Sequence, residues 1–357
     1  MPYGGSLKGH GRYVIVIMPN PAISVIIVNL NGERYIADCL TSLYAQTFRN
    51  FEVIVVDNGS TDGSLSIIKK DFSWVKIITL HENTGFARGN NIGFKASSSQ
   101  YLATLNNDTI VSKDWLQALY ESAEADRAVG MVASKILLGR EGRKIDSVGM
   151  LVYPDGMTRQ RGRGQLDSGQ FDGSEEVLFP SACAALYRSE MLEEIGFFDE
   201  DFFSYCEDSD LGLRGRLAGW KAVITPKAVV RHLYSQTGGV YSRFKAYHVE
   251  RNRSWVLLKN LPVSYIIASH FYTAWRYIIQ LYSLLSGKGS VARFAEESGK
   301  AGLINPVIKA FWGAFIKIPV MLGKRKGIWK KRKIGRKEYR NLLKSHSITA
   351  QELMLKD

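Results

Sequence analysis

Cysteine is nearly absent from this chain. The three present, Cys39, Cys183 and Cys206, share no metal-type spacing, and an odd number argues against a disulfide framework. A reducing, cytosolic setting follows. Long apolar runs are also missing. The run Tyr13–Met18 is too short for the apolar region of a signal sequence, and no small-residue cleavage site precedes the fold. Residues 1–22 therefore read as an N-terminal extension, with an added edge strand as their expected role. Acidic residues are the third deficit, 34 against 47 lysines and arginines. That imbalance is local. Between Lys324 and Lys344 eleven basic residues face only Glu338, which accounts for ten of the thirteen net positive charges. The body is nearly neutral and the basic character belongs to a tail, residues 324–357. No aromatic-interleaved binding sheet accompanies that tail, so nucleic-acid binding explains the charge and nothing else in the chain.

What is present is a soluble-protein composition, 45% hydrophobic and 23% charged over 357 residues, enough to bury a sizeable core. Ile23–Val28 and Phe51–Val56 are continuous β-branched runs, typical of strands covered on both faces. Helical spacing follows the first (Ile36, Leu40, Leu43, Tyr44), and Ser64–Lys70 follows the second. Val75–Leu80 is a third strand. The Gly/Asn-rich stretch Asn83–Gly93 reads as a loop running into a helix. Alternation at this spacing predicts an α/β fold with a mostly parallel sheet.

The most informative strand is Tyr101–Val111. It is apolar at both ends and broken by Asn106, Asn107 and Asp108. Three uncompensated polar side chains do not belong inside a buried strand, at about 1–3 kcal/mol for each unsatisfied group. They do belong at a strand's carboxyl end, where open α/β sheets bind ligands. Oxygen ligands of this type suit Mg²⁺ or Mn²⁺ holding substrate phosphates. Asn29, Asn31 and Asp57 occupy corresponding ends of the first two strands. Asp57 there can accept from a pyrimidine imide N–H, or it can simply cap a turn. Arg88, before a helix, suits a diphosphate.

Farther on, Trp115–Ala125 reads as helix and Val129–Leu137 as strand. Residues 139–176 read as a mobile insertion with a hairpin at Tyr153–Gly156, the kind of loop that forms a lid or recognises an acceptor. Phe179–Tyr187 reads as a strand, and Ser189 as the cap of a helix that Gly196 ends. Glu207 and Asp208 fall at the start of a helix marked by Leu211, Arg214, Leu217 and Ala218. The helix dipole there favours an ionised carboxylate, able to take a proton from an attacking hydroxyl. Spacing does not choose among Glu207, Asp208 and Asp210. On a helix Glu207 and Asp210 share a face, with Asp208 turned away from both. After a strand at Ala222–Thr225, His232 is a candidate metal ligand or phosphate contact.

Ser24–Asn31, Asp57–Gly63, Asn83–Asn91, Leu105–Asp108 and Glu207–Arg214, in this order, resemble the family 2 inverting glycosyltransferases of GT-A fold. The Asn-Thr-Gly-Phe-Ala-Arg-Gly-Asn loop and the Asn-Asn-Asp triplet are most similar to the bacterial rhamnosyltransferase branch. The resemblance covers about Ile23–Gly239 and implies a catalytic domain over 23–245. It implies that Asp57 contacts the base of a dTDP- or UDP-sugar donor and Arg88 the diphosphate. Asp108 stands for the last aspartate of the metal triplet, Asp208 within Glu207-Asp208 for the catalytic base, and His232 for a histidine near the metal. Asn106 and Asn107 depart from the triplet and imply a weaker Mg²⁺ or Mn²⁺ site. The implied reaction moves a sugar, L-rhamnose from dTDP-rhamnose or else a UDP-hexose or UDP-hexosamine, onto a hydroxyl of a lipid-linked or cell-surface glycan. A catalytically dead sugar-nucleotide binder is the other outcome, against which the intact Asp108 and Asp208 argue.

Residues 246–323 read as a helical, membrane-interfacial region. Aromatic and aliphatic residues dominate Arg253–Leu285, but His270 and Arg276 interrupt any spanning helix, since a charge at mid-bilayer costs at least about 2.5 kcal/mol. With the basic tail they suggest peripheral attachment to an anionic membrane, on its cytoplasmic face. The plainer expectation is a packed helical subdomain with a solvated basic end.

Overall fold

The structure is a computed structural model that describes residues 20–233, 242–287 and 300–355. The expected edge strand at residues 13–18 and the end of the stretch after His232 lie outside the described residues. Strands β1 (Ile23–Asn29) and β2 (Phe51–Asn58) flank α1 (Ile36–Tyr44). Then come α2 (Ser64–Asp71), β3 (Lys76–Leu80), α3 (Gly85–Lys95), β4 (Tyr101–Leu105), β5 (Thr109–Val111), α4 (Trp115–Glu124) and β6 (Val129–Leu138). The middle of the chain adds β7 (Ile145–Ser147), β8 (Met150–Val152), β9 (Thr158–Gln160), β10 (Glu175–Glu176) and β11 (Ala184–Arg188). Helices α5 (Ser189–Ile195) and α6 (Glu207–Leu217) precede β12 (Lys221–His232). Among the described residues there follow α7 (Arg243–Asn260), α8 (Val263–Ser286), α9 (Lys300–Ile316), α10 (Ile318–Lys330), α11 (Arg336–Ser345) and α12 (Ala350–Leu355).

The main sheet runs β10-β12-β6-β11-β4-β1-β2-β3. Pairings among β1, β2, β3 and β4, and between β6 and β12, are parallel. β11 lies antiparallel between β4 and β6, and β5, β7 and β10 are antiparallel to their partners. The sheet is therefore mixed rather than mostly parallel. Because β11 reverses direction twice over, β6 and β12 still run with β4. The carboxyl ends of β1, β2, β4 and β12 share one edge, where open sheets hold ligands.

Apolar side chains fill both faces of this sheet. On one, Ile36, Leu40, Leu43, Trp115, Leu116 and Leu119 cover Val25, Ile27 and Val55. On the other, Phe179, Leu211 and Leu213 pack in one cluster with Trp255, Leu257, Met321, Tyr339 and Leu343. The C-terminal helices thus share a core with the main sheet. The basic stretch read as a tail is folded into this layer. Lys324 pairs with Asp199 at 2.5 Å and Asp201 at 2.7 Å, Lys333 with Glu194 at 2.7 Å, and Arg325 donates to the Leu258 and Leu261 carbonyls.

Three local expectations need correction. Only Asn83 and Thr84 of the Asn83–Gly93 stretch are loop, and from Gly85 on it is the helix α3 itself. Its glycines are packing residues, because a Cβ at Gly89 would meet Val28 at 2.9 Å and one at Gly93 would meet Ile26 at 2.5 Å. Ser189 does not cap α5. Its hydroxyl donates to the Ser99 carbonyl, while Gly196 does end the helix with φ +78°. The stretch 139–176 is not an open insertion. The β8–β9 hairpin carries buried Tyr153, Asp155 and Met157, and Asp155 is locked to α8.

Arg276 is the largest departure in the C-terminal region. Read from the sequence as interrupting a spanning helix, it is fully buried, its Nε 2.7 Å from Asp155 and its Nη2 2.9 Å from Glu250. The face of α8 turned inward is polar at Ser269, Arg276 and Ser283, while Ile267, Phe271, Trp275, Ile278 and Leu285 stand exposed. No single helix among the described residues is long and apolar enough to cross a membrane. One pair, Asn305–Ile316 with Ile318–Lys330, passes that test together, bent by 59°.

Candidate active site

Three strand ends are tied through one amide. The buried Asn29 Nδ2 lies 3.1 Å from Asp57 Oδ1 and 2.9 Å from Ser64 Oγ, and Asn29 Oδ1 accepts from Asn107 Nδ2 at 2.8 Å. Gly32 backs this pair so closely that a Cβ would sit 2.2 Å from Asn29 Oδ1. Asn31, at φ +50°, accepts from the Thr61 N–H at 2.8 Å. Glu33 accepts from the Gly63 N–H and Asp62 from the Glu33 N–H. The first two loops therefore form one rigid floor. Asp57, read as a base contact, is buried and also accepts from the Ser60 N–H at 3.3 Å, so its turn-capping role is realised. Arg88 sits in the first half of α3 with its side chain 58% exposed, 3.9 Å from Glu200.

Asn106 and Asn107 are turn residues. The Asn106 N–H donates to the Cys183 carbonyl and its own carbonyl accepts from Thr109 Oγ1 at 2.7 Å. Asp108 is buried at the start of β5, and β12 brings His232 to it, Nε2 lying 3.3 Å from Oδ2. The other ring nitrogen meets Asp146 Oδ2 at 2.8 Å. Asp146, itself buried and paired with Arg163, was not found by sequence reasoning. It lies in the polar stretch after β6 and carries no local signal. Burial works against a charge on His232, but Cys183 beside it and the carboxylates of Asp108 and Asp146 outweigh burial and raise its pKa well above the usual range.

Among the described residues no three His, Cys, Asp or Glu side chains form a ready metal cage. Asp108 and His232 are two donors side by side, and sites that share Mg²⁺ or Mn²⁺ with substrate phosphates need only one or two protein ligands. Asp146 on Nδ1 would fix the ring so that Nε2 faces the metal, the usual outer-sphere arrangement. The donor set fits a divalent cation.

The acidic motif is reached through strain. Phe203, Tyr205 and Cys206 have φ of +63°, +69° and +64°, conformations that cost non-glycine residues energy and cluster at functional sites. Asn252 on α7, wholly buried, holds them by reaching the carbonyls of Phe202, Ser204 and Tyr205 at 2.7–2.9 Å. It too gave no sequence signal.

Beyond this turn the three carboxylates separate. Asp210 is fully buried and clamped by Lys259 at 2.6 Å, Arg214 at 2.9 Å and Asn260 at 2.8 Å. Burial would raise its pKa, yet Lys259 and Arg214 pull it far below the carboxylate range. Glu207 is buried with Oε2 unmatched by any hydrogen bond among the described residues, and burial and then Asp208 push its pKa well up. Asp208 alone is half-buried. Its Oδ1 accepts from the Ser209 N–H at 2.7 Å and its Oδ2 from the Ala182 N–H at 3.3 Å. Burial raises its pKa against those donors, so the expected dominance of the helix dipole is overturned.

Residues 24–196 match the family model described as glycosyl transferase family 2. An uncharacterized glycosyltransferase of Haemophilus influenzae is 34% identical over 117 residues, covering 32% of this chain and 36% of that protein. The poly-beta-1,6-N-acetyl-D-glucosamine synthase of Staphylococcus aureus is 24% identical over 227 residues, 62% of this chain and 52% of that protein. These matches span about half or less of the relatives' own length. Among solved structures, GalNAc-T7 with UDP, GalNAc and Mn²⁺ superposes with a TM-score of 0.53 at 19% identity, over 65% of this chain and 47% of that one. S. aureus TarS gives 0.50 at 19% identity, over 90% and 55%. Over residues 24–196 the chain is similar to glycosyl transferase family 2, on a fold of the GT-A type that it shares with GalNAc-T7.

Proposed function

We propose that this protein is an inverting glycosyltransferase that moves a sugar from a nucleotide-sugar donor to an acceptor hydroxyl, with Asp208 as base. One observation carries the reading. Of the three carboxylates in the motif, Asp210 is salt-bridged and Glu207 is sealed, while Asp208 keeps some exposure to solvent and has a raised proton affinity. A base works best when its pKa approaches the working pH. Asp208 takes the proton of the acceptor hydroxyl as that oxygen bonds to the anomeric carbon and the nucleoside diphosphate leaves. With a single base and no second carboxylate acting as nucleophile, the product is inverted, by the logic of inverting glycosidases.

Asp57, Asn29 and Asn31 line the floor against which the nucleotide base rests, with Arg88 at the diphosphate. Asp108 and His232 would hold Mg²⁺ or Mn²⁺, which when bound supplies Lewis-acid stabilisation to the departing diphosphate. The loop motifs favour L-rhamnose from dTDP-rhamnose as donor. A UDP-hexosamine is the second reading, since GalNAc-T7 is seen with UDP, GalNAc and Mn²⁺. A glycan, free at the cell surface or attached to a polyprenyl lipid, is the acceptor. The exposed apolar face of α8 supports peripheral attachment to the cytoplasmic face of an anionic membrane.

The test is a donor screen. The thermal midpoint is measured with dTDP-, UDP- and GDP-sugars in the presence of Mg²⁺ or Mn²⁺, where the true donor stabilises most by mass action. With that donor, Asp208→Asn is expected to lower turnover by about 10²–10⁴ and leave donor affinity unchanged. Turnover within a few-fold of the native enzyme reassigns the base.

A further inference from the structure

The Asp208 carboxylate does not stand alone. Its Oδ1 accepts twice from Ser209, from the N–H at 2.7 Å and from Oγ at 3.2 Å. Ser209 is fully buried, and its Oγ lies 2.8 Å from Thr158 Oγ1 at the start of β9. A serine hydroxyl has one hydrogen. With that hydrogen on Asp208, the contact to Thr158 requires Thr158 to donate and Ser209 to accept. The result is a directed chain, Thr158 to Ser209 to Asp208. Its origin is held firmly, because the same hairpin carries Asp155, which Arg276 anchors at 2.7 Å.

We propose that Thr158 and Ser209 are positioning residues for the proposed base, a hydroxyl relay that saturates Asp208 Oδ1 and leaves Oδ2 as the oxygen that takes the acceptor's proton. This rests on the reading of Asp208 as base. Oδ1 has two donors, one of them short. Among the described residues Oδ2 accepts only from the Ala182 N–H, at 3.3 Å, so its remaining lone pair is the better proton acceptor. Donors to the ionised form also lower a carboxyl's pKa, here opposing the rise that burial imposes. The relay therefore fixes which oxygen reacts and the pH at which it becomes a base.

The experiment compares Ser209→Ala, Thr158→Val and Thr158→Ser in the full chain by two readouts. The first is the ¹³C titration of the Asp208 carboxyl, assigned by its loss in Asp208→Asn, which needs no substrate. The second is the pH profile of turnover with the donor found by the screen. Ser209→Ala is expected to raise the Asp208 midpoint by about one pH unit, the worth of a hydrogen bond to a charged group. Thr158→Val should give part of that shift, and Thr158→Ser should restore the native midpoint. The acid limb of kcat should move equally while the donor KM stays fixed. An unmoved titration and profile in folded Ser209→Ala and Thr158→Val overturn the relay. Should Ser209→Ala not fold, Thr158→Val, at a partly exposed position, decides alone. Native turnover in Asp208→Asn instead overturns the base assignment and the catalytic role of the relay with it, a result distinguishable from relay failure because there Asp208→Asn is inactive.

Discussion

Replacing Arg276 with alanine isolates the buried charge cluster that joins the hairpin to the C-terminal helices. The cluster has two cations and two anions. Arg276 donates to Asp155 and Glu250, Arg253 pairs with Glu250 and lies 3.6 Å from Asp155, and Tyr277 and Thr273 donate to the two carboxylates. Removing Arg276 leaves one buried negative charge in excess, which costs about 3–5 kcal/mol when the pair is fully desolvated. The pH linkage gives a second figure. Burial alone would raise the pKa of Glu250, but Arg253 and Arg276 overcome it and hold the group at about 2 against an ordinary 4.5. That difference is worth about 3 kcal/mol of stability. Its sign follows from the depressed folded value, so the stabilisation is complete above about pH 5 and is lost as pH falls toward 2. In Arg276→Ala, Glu250 keeps Arg253 and the Tyr277 hydroxyl but loses one of its two cations, and part of this pH dependence disappears. Urea unfolding followed by tryptophan fluorescence from pH 3 to 8 measures both quantities, and the Asp155→Ala/Arg276→Ala cycle gives the coupling between partners. A loss below 1 kcal/mol at pH 7, or a pH dependence equal to the native one, would refute the reasoning.

Asp108→Ala is expected to abolish metal-dependent donor binding in calorimetry while the fold survives, since the residue sits at a strand end; unchanged binding of metal and nucleotide would remove Asp108 from the site. The same reasoning expects a weak metal site, lost on dialysis, because Asn106 and Asn107 contribute no charge. At the outer face of α8, Phe271→Asp and Ile278→Asp are expected to leave the unfolding midpoint unchanged, since Phe271 is 80% exposed. Each should weaken sedimentation with anionic vesicles by about 10-fold or more, from the ~1.5–3 kcal/mol worth of one buried apolar side chain. Equal sedimentation of both variants would refute attachment through this face.

What the sequence disclosed follows a physical pattern. Ile23–Val28 and Phe51–Val56 were legible because a run of β-branched residues has few alternatives to a covered strand. The Asn106–Asp108 break was legible because it violates a local rule, polarity inside an apolar run. Asn83–Gly93 was misread because glycine signals a turn when taken locally. Here Gly89 and Gly93 instead let α3 approach β1, a demand set by a strand far away in the chain. Asp146, Asn252 and Thr158 were invisible for the same reason. His232 meets Asp146 across 86 positions, Asn252 meets Phe202 across 50, and Thr158 meets Ser209 across 51. Arg276 shows the limit most plainly. Judged alone, an arginine in an aromatic helix can be priced only against lipid, and it argues for an interruption. Its partner Asp155 lies 121 positions away. Once the two are paired, α8 turns its polar side inward and its apolar side out, the reverse of an ordinary surface helix. The residue that argues against a membrane span is the one that turns the apolar face of α8 outward, where a bilayer would meet it.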